Sequence, residues 1–492
     1  MGVLSDLEPE RVFYYFEEIS RIPRASYHEK SISDYLVAFA KEHKLYYIQD
    51  DLYNVIMFVP ASAGYEQEEP LIMQGHMDMV CEKTADSRID MEKEGLTLLH
   101  DDNYVYAKDT TLGGDDGIAI AYMLAIAESS EIAHPPLEMI ITVSEEVGMD
   151  GANHIDLSQL KGHRMVNLDS EDEGVFLTSC AGGLSTIGTL PVSRKMTEPL
   201  CWYMLSVTGL LGGHSGCEID KGRANANHIL GRALFTLRKE VNYELYDMGG
   251  GKKDNAIPFH AFAVIGVMPG EVQKVTSITK QLEATLKAEY AKSDAGITLE
   301  LKEFETMEDD GDRDNICERM AIDPLSLDNI LTLLMTLPNG VQNMSISVPG
   351  LVETSLNLGI MQLYEDHLFL KHAVRSSVTS KKHYVAEQIE CLMKSLGGKV
   401  SIKGEYPAWE YREESVVRPK AVELYEKMYG KAPVVEGIHA GLECGLLAGK
   451  IENLDCIAMG PDILDIHTTS ERLDIASAKR VYEFLLEYLK QK

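Results

Sequence analysis

Apolar residues recur at helical spacing over residues 7–23 and again over 28–43, a period that predicts two amphipathic helices near the start of the chain. Two short apolar runs follow, NVIMFVP at Asn54–Pro60 and PLIMQGHMDMV at Pro70–Val80. Their length and bounding turn residues predict strands. Gly117–Glu128, GIAIAYMLAIAE, is apolar on every side and predicts a helix buried all round. Leu137–Val143 and Met165–Leu168 predict two further buried strands. Strands that alternate with helices in this way predict an α/β domain with a parallel or mixed sheet.

The texture changes near Gly182–Gly183. From there to about Tyr406 the pattern strand, amphipathic helix, strand occurs twice, over Ala261–Glu305 and over Leu368–Tyr406. This predicts an internally duplicated α/β insert built of two βαβ-type units. From Val417 a helix, a Gly-rich turn (HAGLECG), a strand and a final amphipathic helix follow. That tail has no evident core of its own, and it is expected to complete the first domain.

Composition narrows the function classes. The chain has 492 residues, 45% hydrophobic and 25% charged, which suits a large folded core and rules out a disordered chain. Lys and Arg number 46 against 78 Asp and Glu, a net charge of −32. Nucleic acid is therefore not an expected partner, and an anionic membrane surface is disfavoured by the same repulsion. No signal peptide and no long apolar run stand out. The eight cysteines form no C-x-x-C pair, so reduced, mostly buried thiols in the cytoplasm are expected.

Five segments place His, Asp or Glu beside buried-looking strands. His76 and Asp78 close one apolar run, Asp115 and Asp116 sit in a Gly-rich turn before the apolar helix, and Glu145 and Glu146 follow another strand. Asp169 ends the next strand, and His467 lies near the C-terminus. Each segment alone has a bland reading. His76 and Asp78 fit a solvated strand end, one of the two aspartates fits a helix N-cap, and Glu145 and Glu146 converge only if their strand bends. Together they matter, because ligands of α/β sheets gather at the carboxyl ends of strands. Carboxylates clustered there repel one another unless a cation intervenes. Imidazole and carboxylate without thiolate suit zinc, manganese or cobalt.

The motifs GHMDMV, TTLGGDDGI, SEEVGMDGA, NLDSEDEG, CAGG, GGHSG, DNAIP and HAGLECG, in this order along essentially the whole chain, resemble the M20 metallopeptidase family. The resemblance is to its aminoacyl-histidine dipeptidase branch. It implies a zinc-peptidase-like catalytic domain with a mixed sheet flanked by helices, over 1–184 and 406–492, and a lid or dimerisation-type domain over 185–405. It implies two divalent ions, Zn2+ with Mn2+ or Co2+ as alternatives. His76 and Asp169 would hold one ion, Glu146 and His467 the other, and Asp115 would bridge. Asp78 would orient His76, Glu145 would be the general base, and His214 would donate to the oxyanion. Asn255, Arg375 and Gly441 would contact a dipeptide substrate. The context Ile466-His467-Thr468-Thr469 departs from the family's Pro-His-Ser-Pro type, and the Asp115–Asp116 peptide is expected to be cis. The implied reaction is hydrolysis of dipeptides of broad specificity, including Xaa-His dipeptides such as carnosine. The alternatives are a related N-acyl amino acid amidohydrolase and a non-catalytic metal-dependent peptide binder. A homodimer is one expected assembly, and a monomer in which the duplication mimics a dimer interface is the other.

Overall fold

The computed structural model describes residues 2–304 and 316–492. Its backbone divides into two compact units: residues 1–180, 409–437 and 442–492 form the first, and 181–408 with 438–441 the second.

The first unit is built on an eight-stranded mixed sheet. In spatial order the strands are Tyr46–Gln49, Val55–Val59, Leu137–Thr142, Leu71–His76, Arg164–Asn167, Asp455–Ala458, Val175–Cys180 and Val434–Ile438. The four central strands, from Leu137–Thr142 to Asp455–Ala458, run parallel. His76 lies opposite Thr142, and Gln74 opposite Asn167. Parallel strands end at one edge of a sheet, so the segments that leave His76, Thr142, Asn167 and Ala458 all emerge together.

The apolar runs are strands because both faces are covered. Helix Gly114–Glu128 is buried from Gly114 through Ala127. It has no solvent face because helix Glu10–Ser20 packs on it and the sheet lies beneath. Phe13, Phe16, Met73, Ile120, Met123, Met139, Phe176 and Phe484 belong to the resulting core. The amphipathic segments at the start become helices Glu10–Ser20 and Lys30–Glu42, and the last becomes helix Ile475–Leu489.

The second unit holds a ten-stranded antiparallel sheet. Its main order is Thr298–Glu303, Leu200–Thr208, Ala261–Val267, Tyr243–Gly250, Val352–Leu363, His367–Ser376, Gly182–Pro191 and Lys399–Tyr406. The two repeats are visible in this order. Ala261–Val267 and Thr298–Glu303, joined by helix Val272–Glu289, both flank Leu200–Thr208. His367–Ser376 and Lys399–Tyr406, joined by helix Thr379–Ser395, both flank Gly182–Pro191.

Each repeat is thus a split βαβ unit with a third strand between the two that the sequence pattern marks. Helix Ala226–Arg238 with strand Tyr243–Gly250, and helix Pro324–Thr336 with strand Val352–Leu363, extend the repeats to strand–helix–strand–strand–helix–strand. The expected first repeat ends at Glu305, which lies outside the described residues.

The thiols depart from expectation. None forms a disulfide, but only Cys180, Cys444 and Cys456 are buried, while Cys217 and Cys391 are exposed. Cys217 sits in a turn and Cys391 on the outer face of its helix, positions that spacing alone does not reveal. Among the described residues, no helix is long and apolar enough to cross a membrane.

Candidate active site

At the carboxyl edge of the parallel strands, seven of the expected residues converge in the first unit. His76 Nε2 lies 3.0 Å from Asp115 Oδ1, and His467 Nε2 lies 3.2 Å from Asp115 Oδ2. One carboxylate therefore spans two imidazoles, the second from a segment 352 residues further along the chain than Asp115. His76 Nε2 is also 3.7 Å from Asp169 Oδ1, and His467 Nε2 is 3.0 Å from Glu146 Oε2.

Asp78 is fully buried and holds the neighbouring segments. Its Oδ1 accepts from Glu145 N at 3.0 Å, and its Oδ2 accepts from Glu146 N at 3.3 Å and Ser26 Oγ at 2.8 Å. The same Oδ1 lies 3.4 Å from His76 Nδ1. The chain bends after Thr142, with Ser144 at φ 54°. That bend lets Glu145 and Glu146 depart from strand alternation and share one partner.

The two adjacent aspartates play no capping role. The helix N-cap is Gly113, without a side-chain bond, and Asp115 and Asp116 have non-helical backbone angles. Asp116 Oδ2 accepts from His76 N at 3.1 Å, and the Asp115–Asp116 peptide is cis. Two ligand sets lie within 4.8 Å internally: His76, Asp115 and Glu146, and His76, Asp116 and Asp169. Asp116, named beside Asp115 as a candidate acid of the Gly-rich turn but outside the ligand set the resemblance implies, thus joins one of the two clusters.

The electrostatics fit a cation. Burial drives Asp169 and Asp116 well above the ordinary carboxylate range. Burial, with Glu443, Glu146 and Asp115 nearby, pushes Glu145 up to about 8. Burial alone would lower His76, but its bonds to Asp115 and Asp78 outweigh that and raise it. Hydrogen bonds to Asp115 and Glu146 push His467 up to about 10. Carboxyl groups crowded into one desolvated pocket repel one another, and a divalent ion relieves that repulsion better than protons do.

Beneath the site, Glu443 is buried and accepts from Gln74 Nε2 and Thr142 Oγ1, each at 2.6 Å. Burial pushes it up to about 7. The motif HAGLECG gives no sign of this, since a buried acid and a solvated one look alike in sequence.

The remaining expected residues lie in the second unit. His214 pairs with Ala256 between two short strands, and Ser215 N donates to Asn255 O at 2.9 Å. A Cβ on Gly216 would stand 2.9 Å from His214 Cε1 and 3.2 Å from Arg375 Nε. The glycine therefore lets the imidazole and guanidinium approach. Arg375 Nη1 donates to Tyr406 Oη at 2.9 Å, and its buried Nε has no partner among the described residues. Gly441 follows two residues after His439, whose carbonyl also borders Gly216. Burial and Arg375 lower His214 below its ordinary value, leaving a neutral imidazole that can donate one hydrogen bond.

Comparison with known proteins agrees with this architecture. Residues 205–294 match the peptidase dimerisation domain. The chain is 35% identical over its full length to 99% of the cytosol non-specific dipeptidase of Escherichia coli. The crystal structure of an aminoacylhistidine dipeptidase from Vibrio alginolyticus superposes with TM-score 0.92 at 32% identity, covering 99% of this chain and 98% of that one. An aminopeptidase from Bacillus cereus, 16% identical over 98% of both chains with TM-score 0.55, shares the fold.

A carboxylate–histidine centre at the edge of a mixed sheet, joined to a peptidase dimerisation domain, is the build of a metal-dependent hydrolase. The chain belongs to the M20 family of metallopeptidases, on the branch represented by these two dipeptidases.

Proposed function

We propose that this protein hydrolyses the peptide bond of dipeptides at two divalent ions, zinc being the first choice. The observation that carries the reading is the placement of Asp115, one oxygen toward His76 and the other toward His467. In this reading His76 and Asp169 would hold one ion and Glu146 and His467 the other, with Asp115 shared between them. When bound, the ions supply Lewis-acid polarisation of the carbonyl and acidify water.

The chain's own residues do the rest. Glu145, oriented through its backbone by Asp78, takes a proton from water and returns it to the leaving amine. His214 is the oxyanion donor. Arg375 recognises the substrate carboxylate, since a guanidinium binds carboxylate through two parallel bonds, and Asn255 and Gly441 contact the peptide. The names of the two relatives support broad dipeptide specificity that includes Xaa-His substrates such as carnosine, in the cytoplasm. The dimerisation-domain match supports a homodimer.

The test is a panel of dipeptides and their N-acylated counterparts, assayed on chelated protein and after zinc or manganese is restored. Hydrolysis of free-amine dipeptides, lost on chelation and recovered with metal, is expected. Preference for the N-acylated substrates would favour an amidohydrolase instead. Glu145→Gln should keep its metal and lose about 10²–10⁴-fold in kcat, the usual worth of a general base. Full activity in that variant would remove Glu145 from the mechanism.

A further inference from the structure

Two buried charges of the first unit have no part in the reaction just described. Arg24 is 1% exposed and Glu471 3%. A charge taken out of water is costly unless hydrogen bonds replace its solvation, so where these bonds go is informative.

Glu471 spends its carboxylate on one loop. Oε2 accepts from Leu112 N at 2.7 Å and Gly113 N at 3.0 Å, and Oε1 accepts from Gly114 N at 2.8 Å and Asp115 N at 3.4 Å. Four consecutive amides of the segment that carries Asp115 therefore converge on one side chain. Glu471 itself stands four residues after His467, and its own N donates to Thr468 O at 3.1 Å. The turn that carries His467 thus grips the loop that carries Asp115.

Arg24 acts on the other side of that loop. Nη1 donates to Met77 O and Asp78 O, each at 3.1 Å, and Nη2 donates to Gly113 O. The glycines make room for it. A Cβ on Gly117 would stand 2.6 Å from Nη2, and one on Gly113 would run into the same atom. One guanidinium therefore ties the loop after His76 to the loop before Asp115.

We propose that Arg24 and Glu471 are positioning residues that hold the His76, Asp115 and His467 segments in mutual register, and that this register sets the affinity and coordination geometry of the ion pair. The inference rests on the two-ion reading above. Each side chain acts only through backbone groups. Asp115 must reach two imidazoles at once, so a small rotation of residues 112–115 would cost it one of them. Gln at 471 presents an NH2 group to two of the four amides, which then face a donor. Lys at 24 presents one ammonium where a planar fork now reaches three carbonyls on two loops.

The experiment uses full-length Glu471→Gln and Arg24→Lys. Zinc affinity is read by chelator competition, coordination by the visible absorption of the cobalt-loaded protein, and folding by thermal melting of the metal-free form. Kinetics are split into kcat and KM. Loss of a partner outside the ligand shell typically weakens metal affinity or activity about 10–100-fold. That loss is expected here, with a changed cobalt spectrum and a fall in kcat rather than a rise in KM. Should Glu471→Gln fail to fold, Arg24→Lys decides alone by the same readouts. Wild-type zinc affinity and an unchanged cobalt spectrum, with only the melting temperature lowered, would reduce both residues to structural supports and overturn the proposal. A wild-type protein that binds no zinc or cobalt would instead sink the two-ion reading itself, and the inference with it.

Discussion

Replacing Asp78 by Asn tests how far the site depends on a carboxylate that itself need hold no ion. Asp78 is 0% exposed. It accepts from Glu145 N at 3.0 Å through one oxygen and from Glu146 N at 3.3 Å through the other. The amide of Asn has one acceptor where Asp has two. If its oxygen faces Glu145 N, its NH2 faces Glu146 N, and the reverse orientation only exchanges the two. Ser26 Oγ, at 2.8 Å, can turn its hydroxyl to accept and loses little. One buried backbone N–H is therefore left opposite a donor in either orientation.

An unsatisfied buried group costs about 1–3 kcal/mol. At about 1.4 kcal/mol per factor of ten, that is about 5- to 150-fold. His76 also loses the anion 3.4 Å from its Nδ1, which lowers the basicity of its Nε2. The expected result is about a 10–100-fold fall in metal affinity or kcat/KM, the range seen for such outer partners. Chelator competition and steady-state kinetics read it. Metal affinity and kcat/KM both unchanged, in a variant that folds, would refute the claim that Asp78 orients Glu145, Glu146 and His76.

Two further outcomes follow from the same geometry. Gly113 has φ 66°, and a Cβ there would collide with Arg24, so Gly113→Ala should lower stability by more than the about 1–2 kcal/mol that a left-handed residue costs. An unchanged urea midpoint would contradict this. Metal-free protein should lose stability as pH rises from 7 to 9. Glu145, raised from 4.5 to about 8, and His467, raised from 6.5 to about 10, each bind a proton in the folded state that the unfolded chain releases first. Their contribution is present at low pH and lost as pH climbs through those values. His228, His372 and His439, pushed by burial to about 4, 3 and 3, are neutral in the folded state throughout that window, and only the residual protonation of the unfolded imidazoles near pH 7 opposes the trend. Saturating zinc should flatten the trend, because the ligands must be deprotonated to bind. A chelated protein whose urea midpoint rises between pH 7 and 9 would show the sign to be wrong.

Much of this molecule was legible in one dimension. Period and apolar content marked the buried strands that end at His76, Thr142 and Asn167, and the helix that follows Asp115, because side-chain burial leaves its rhythm in local sequence. The strand–helix–strand repeats of the second unit were visible for the same reason. Their split pairing was not, since a helical return can skip a strand without changing either strand's pattern.

The site divides along the same line. Acids and histidines at strand ends could be named from the sequence. That His467 closes on Asp115 from the far end of the chain, that Asp116 turns to His76 N, and that Arg24 and Glu471 clasp the intervening loops were decided only by tertiary contact. The chemistry of a side chain is written in the sequence. Its burial, and the distant backbone group that replaces its water, are set when the sheet edge, the Gly-rich loop and the C-terminal turn come together. A buried charge and a solvated one are the same letter until then.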